Sequence, residues 1–136
     1  MRNRNIKAFT LIELMLVVII LGVLAAMVMP RLAGRSEEAR VAAARTDIQT
    51  NISLALDLFE MDQRRFPTSE EGLQALLNNP GGITTWKGPY LKREPKDPWG
   101  NLYHYVHPGS HSQQDYDLYS SGPNGVEGDS DDIGNW

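Results

Sequence analysis

Cysteine is absent from all 136 residues. No disulfide can staple the fold, and thiol nucleophiles and thiolate metal sites are excluded. Lysine and arginine are absent after Lys96, while seven acidic residues run from Asp97 through Asp132. A nucleic-acid partner would need a basic footprint, so that class is excluded as well. There is no Gly-x-Ser-x-Gly elbow and no glycine loop to cradle phosphate. Of the three histidines, His104 and His107 stand three apart, a spacing that sends them to opposite faces of an extended strand. They read as surface histidines, and the chain is expected not to be an enzyme. Repeats of 20–50 residues and low-complexity stretches are also missing.

What is present begins with one long apolar run. Phe9 to Met29 spans 21 residues and carries a single charge, Glu13; Arg2, Arg4 and Lys7 stand before it. A helix of ~20 such residues matches the ~30 Å hydrocarbon core of a bilayer. The short basic flank keeps the N-terminus in the cytoplasm and sends the chain after Pro30 across the membrane. A secretory signal has a shorter apolar region of roughly 7–15 residues. A plain anchor accounts for the length but not for Glu13, because a carboxylate in hydrocarbon is costly and marks function.

From Arg31 to Trp136 there are 106 residues, enough for one modest domain. Val41, Ala44, Ile48, Ile52, Ala55 and Phe59 recur at spacings of three and four, which predicts a helix with one apolar face. It continues the membrane helix, with Pro30 and Gly34 as the only interruptions, and Pro67 ends it. Residues 69–77 predict a short second helix capped by Thr68 or Ser69, with Glu70 and Glu71 in its first turn. Leu102–Val106 and Tyr116–Tyr119 predict strands of a small antiparallel sheet, with a turn near Pro108-Gly109-Ser110. The expected class is α+β. In Asp97-Pro98-Trp99-Gly100 the Asp-Pro pair starts a turn and Trp99 fills the core; Trp136 reads as a second apolar plug.

The segment from Ser121 to Asp132 is rich in glycine and oxygen donors, with Asn124, Asp129, Asp131 and Asp132 within nine positions. Such a loop can supply part of the roughly 6–8 oxygens that calcium takes, although its spacing is not that of an EF-hand. A solvated acidic loop has the same composition. On residue chemistry alone both readings stand.

Lys7-Ala8-Phe9-Thr10-Leu11-Ile12-Glu13 resembles the class III leader junction of type IV pilins and of type II secretion pseudopilins. The resemblance implies cleavage between Ala8 and Phe9 by a prepilin peptidase, N-methylation of Phe9, and an assembly role for Glu13. Glu13 would pair with the Phe9 amine of a neighbouring subunit, which offsets part of the cost of burying each. Ala8 departs from the family, which has glycine before the cut. Arg65-Phe66-Pro67-Thr68, Glu71-Gly72-Leu73-Gln74-Ala75-Leu76, Gly88-Pro89-Tyr90-Leu91, Asp97-Pro98-Trp99-Gly100 and Asp131-Asp132-Ile133-Gly134-Asn135-Trp136 are similar to the major pseudopilins of the general secretion pathway G family.

That family implies a type IV pilin-like fold, a long N-terminal helix, half transmembrane, packed on a small C-terminal antiparallel sheet. The expected organisation is a leader at 1–8, a transmembrane and assembly helix at 9–29, and a periplasmic domain at 30–136. The implied function is a homo-oligomeric helical filament, the pseudopilus, that drives export of folded proteins through the outer membrane of a Gram-negative bacterium. Its implied partners are minor pseudopilins, the inner-membrane assembly platform and the lipid bilayer, with no nucleic acid. Calcium is the implied cofactor, held by Asn124, Asp131 and Asp132, with backbone oxygens of Ser121 and Val126 and with Asp129 as a further donor. The alternative is a type IV pilin-like fibre subunit for adhesion or DNA uptake.

Overall fold

The computed structural model describes residues 9–136, with the side chains of 28–34 left aside. The expected leader at 1–8, including Ala8, lies outside the described residues. The chain divides into two compact units at the boundary between Glu38 and Ala39.

In the first unit, helix α1 (Leu11–Thr46) begins. Thr10 and Glu13 start it as a reciprocal cap: the Glu13 amide donates to Thr10 Oγ1 at 3.3 Å, and the Thr10 amide donates to Glu13 Oε2 at 3.1 Å. This capping box satisfies two otherwise orphaned amides. From Leu11 to Met27 the apolar side chains are exposed all round, so no face of this stretch is hidden within the unit. Among the described residues no helix is long and apolar enough to cross a membrane. The described side chains of the apolar run stop at Met27, short of its end at Met29.

In the second unit the apolar periodicity is borne out. Ala44, Ile48, Ile52, Ala55 and Phe59 are all buried, and they form one core with Leu76, Tyr116, Leu118 and Ile133. The helix is not uniform, however. Asp47–Ile52 form a π-helical turn between α1 and α2 (Ser53–Gln63). Ile52 and Ser53 are consecutive and both buried. Ser53 Oγ donates to the Ile48 carbonyl at 2.6 Å, five residues back, and accepts from Tyr116 Oη at 3.1 Å. The wider turn brings both residues to the core side. Arg64 then stops α2 in the left-handed conformation, φ 57°.

The expected helix at 69–77 is instead a 3₁₀ helix, Gly72–Leu76. Gly72 has φ +55°, which breaks an α-helix at that point. The expected cap at Thr68 closes the turn before this helix rather than the helix itself: Thr68 Oγ1 accepts the Glu71 amide at 3.2 Å, Glu71 Oε2 accepts the Thr68 amide at 2.8 Å, and the 3₁₀ helix has no side-chain cap of its own. The Arg65 guanidinium pairs with the Glu71 carboxylate and holds it below the usual carboxylate range.

The sheet has three antiparallel strands in the order β1 (His104–Val106), β2 (Asp117–Ser120), β3 (Ile133–Gly134). Tyr105 pairs with Leu118, and Ser120 pairs with Ile133. The two expected strands are present but shorter, and β3 joins them. Along β2, Leu118 and Ser120 face the core, while Asp117 and Tyr119 face the other way.

Candidate functional site

Two places in the second unit concentrate polar chemistry, and both lie on the segment that follows β1. The first is Asp117, whose side chain is 4 % exposed. It accepts the amides of Ser110 and Ser112 at 2.8 Å each, the amide of His111 at 3.1 Å and His111 Nδ1 at 3.0 Å. Burial alone would raise this carboxyl. The converging amides and the imidazole outweigh it and hold Asp117 far below the usual carboxylate range. It clasps the β1–β2 connection in a chain that has no disulfide to do so.

The second is the acidic loop after β2. Asn124 folds it locally: its Oδ1 accepts the Val126 amide at 2.7 Å, and its Nδ2 donates to Asp129 Oδ2 at 2.7 Å. Asp129 Oδ1 accepts the Asp131 amide at 2.9 Å, so both Asp129 oxygens serve the loop's own backbone and amide. Asp132 Oδ2 accepts the Gly128 amide at 2.8 Å, whereas Asp132 Oδ1 is buried without any partner. Such an orphaned carboxylate oxygen costs roughly 1–3 kcal/mol or more, since the group is charged. Gly122, at φ +66°, lets the Asp131 carbonyl pass so close that a Cβ there would sit 2.3 Å from its oxygen.

Among the described residues no three carboxylates, imidazoles or thiols gather as a metal cluster. A hard cation does not need them, because amide and backbone oxygens complete its shell. The oxygen-only chemistry of the loop and the unpartnered Asp132 Oδ1 fit such an ion. Asp129 is better fitted to hold the loop's shape than to ligate.

Sequence reasoning missed the anchoring of this loop. His104 is not a plain surface histidine. Its Nε2 lies 2.9 Å from Ser121 Oγ, its Nδ1 lies 3.2 Å from Glu127 Oε1, and its ring stacks on Tyr119 at 4.8 Å. Serine, histidine and acid are thus aligned, yet Ser121 is 2 % exposed and a substrate carbonyl has no approach to it. The arrangement ties the start and the middle of the loop to the sheet. The cross-strand pair His104 and Tyr119 carried the only signal for it. Trp136 also departs from expectation. It is 54 % exposed, edge-on to Tyr119 at 5.7 Å and 5.2 Å from His111, because its ring lies over Gly134 on the outer sheet face. Trp99 does pack against the core.

The protein-family model described as "Type II secretion system (T2SS), protein G" matches residues 31–136. The chain belongs to the type II secretion system protein G family. A second model, the prokaryotic N-terminal methylation motif, matches residues 3–29. A relative from Pseudomonas aeruginosa, type II secretion system core protein G, is 46 % identical over 143 residues, covering 100 % of this chain and 99 % of that protein. The Vibrio cholerae protein of the same name is 44 % identical over 139 residues, covering 99 % and 94 %. Among solved structures, the major pseudopilin of enterohaemorrhagic Escherichia coli is similar at 36 % identity and a TM-score of 0.68, covering 77 % of this chain and 89 % of that one. Membership in the protein G family, with a methylation-type N-terminus, makes this a bacterial envelope protein, and the α+β architecture is that of the pseudopilin.

Proposed function

We propose that the chain is the major structural subunit of a type II secretion pseudopilus, not an enzyme. It polymerises into a periplasmic filament that drives export of folded proteins through the outer membrane. One observation carries the reading: the methylation motif over 3–29 and the secretion-specific match over 31–136 adjoin in a single chain. A type IV pilin-like fibre for adhesion or DNA uptake shares only the first of these.

The finer steps follow from the residues. Residues 9–29 span the inner membrane once, with the second unit in the periplasm. A prepilin peptidase releases 1–8 between Ala8 and Phe9, and the new Phe9 amine is methylated. Glu13, capped by Thr10 in the single chain, exchanges that cap for the Phe9 amine of a neighbour during assembly. Minor pseudopilins and the inner-membrane platform are the other partners. Calcium is held by Asn124, Asp131 and Asp132 with backbone oxygens of Ser121 and Val126, while Asp129 shapes the loop. The bound ion supplies charge neutralisation to a loop with little apolar content.

The test is genetic. Deleting the gene should trap exoenzymes in the periplasm, and the wild-type copy should restore export. Undiminished export in the deletion strain would overturn the proposal.

A further inference from the structure

Asn124 is the one asparagine in the sequence that a glycine follows. That order matters chemically, because a glycine amide has no side chain beside it to hinder attack on the preceding carboxamide. Such an attack closes a five-membered ring, and an intramolecular nucleophile acts at a very high effective concentration.

The loop holds the pair in a reactive arrangement. Asn124 Oδ1 accepts the Val126 amide at 2.7 Å. This turn closes a ring that contains both Asn124 Cγ and the Gly125 nitrogen, so the carboxamide is kept folded back along the backbone that must attack it. The Val126 N–H is aimed at the oxygen on which negative charge grows during addition, as an oxyanion donor is. Asn124 Nδ2, the leaving nitrogen, is held by Asp129 Oδ2 at 2.7 Å. Among the described residues the Gly125 amide donates to no acceptor, and Gly125 takes φ +70°. Asn124, Gly125 and Val126 are all exposed, which admits water and base.

We propose that Asn124 is a self-modifying site, at which the loop converts its own carboxamide to a carboxylate. Base removes the Gly125 amide proton, the nitrogen bonds to Asn124 Cγ, and the Cγ–Nδ2 bond breaks. Nδ2 takes up a proton and leaves as ammonia, and a succinimide remains. Water then adds across one C–N bond of the ring, its hydroxyl to the carbonyl carbon and its hydrogen to the nitrogen. Opening at Cγ yields aspartate; opening at the main-chain carbonyl yields isoaspartate. The product cannot donate to Asp129, so that tie is replaced by two facing negative oxygens. The loop thereby acquires a greater demand for a cation. This consequence rests on the calcium reading above, whereas the conversion itself does not.

The experiment ages the full chain, in detergent, at neutral and at mildly alkaline pH, and maps its peptides by mass. Residue 124 should gain the mass difference between amide and carboxyl ahead of Asn101 and Asn135, and faster at the higher pH. Gly125→Ala, or Val126→Pro, which removes the oxyanion donor, should slow the gain at least about tenfold. Conversion at 124 that is no faster than at Asn101, is confined to chain unfolded in urea, or is equally fast in both variants would overturn the proposal. Melting of the same full chain is the second readout. Asn124→Asp should widen the gap between calcium and excess chelator relative to wild type, and an unchanged gap would refute the consequence for the loop. A wild type with no gap at all would sink the calcium reading, and the mass map would still decide the conversion.

Discussion

Asp117→Asn changes one atom and should cost the second unit a large part of its stability. The carboxylate accepts three backbone amides, from Ser110, His111 and Ser112, at 2.8–3.1 Å in a site that is almost closed to water. An asparagine keeps one oxygen but turns an NH₂ group toward donors. Each buried amide left without its charged acceptor costs roughly 1–3 kcal/mol, so a total loss of about 4 kcal/mol is expected even if one amide finds water. That is a large share of the 5–15 kcal/mol typical of a whole domain. At ~4–8 °C per kcal/mol the melting temperature should fall by about 15–20 °C or more. The assay is a circular-dichroism melt of residues 39–136 with calcium present. The wild type adds a pH signature whose sign is fixed. Because the folded carboxyl is depressed, its contribution is full above the unfolded value near ~4 and drains away as pH falls toward the depressed one. The variant should lack that slope. A melting point within 3 °C of wild type, or an identical acid limb, would refute the reasoning.

Three further outcomes are expected. Asp132→Ala should lower thermal stability in calcium and abolish the difference between calcium and excess chelator; for the wild type ~100-fold excess over Kd contributes about 2.7 kcal/mol, and superimposed wild-type melts in the two buffers would show a merely solvated loop. Glu13→Leu should insert into the membrane at least as well as wild type yet secrete poorly, since it loses both the Thr10 cap and the partner for a neighbour's amine; normal filament assembly would remove Glu13 from that role. Ala8→Gly should speed removal of residues 1–8, checked by mass spectrometry of the filament protein, in which an intact Met1 would refute cleavage at this site.

Much of this was legible in residue order. The three-and-four spacing from Val41 to Phe59 located the buried helix face, and aromatic runs located two strands. The π turn was not legible, because apolar spacing records which residues face the core and not which carbonyl each amide reaches. β3 is only Ile133–Gly134, too short to alternate visibly, and exists through its pairing with β2. At the site, composition marked the acidic loop as oxygen-rich but could not divide labour within it. Asp129 and Asp132 are the same residue type three positions apart, one spent on neighbouring amides and the other left with a free buried oxygen. Trp136 was misjudged because its size suggests interior, whereas Gly134 leaves it room outside.

The π turn at Asp47–Ile52 also bears on how this chain can vary in length. Such a turn holds one residue more than an α turn. Removing a single exposed residue from it, Gln49 or Thr50, would let the ladder close as ordinary α-helix with the residues on either side still turned the way they were. Elsewhere in the helix the same deletion would swing every later side chain by about 100° and bury the wrong ones. The turn is therefore a slack link, a point in this helix where evolution can delete a residue and leave the core unaware of it.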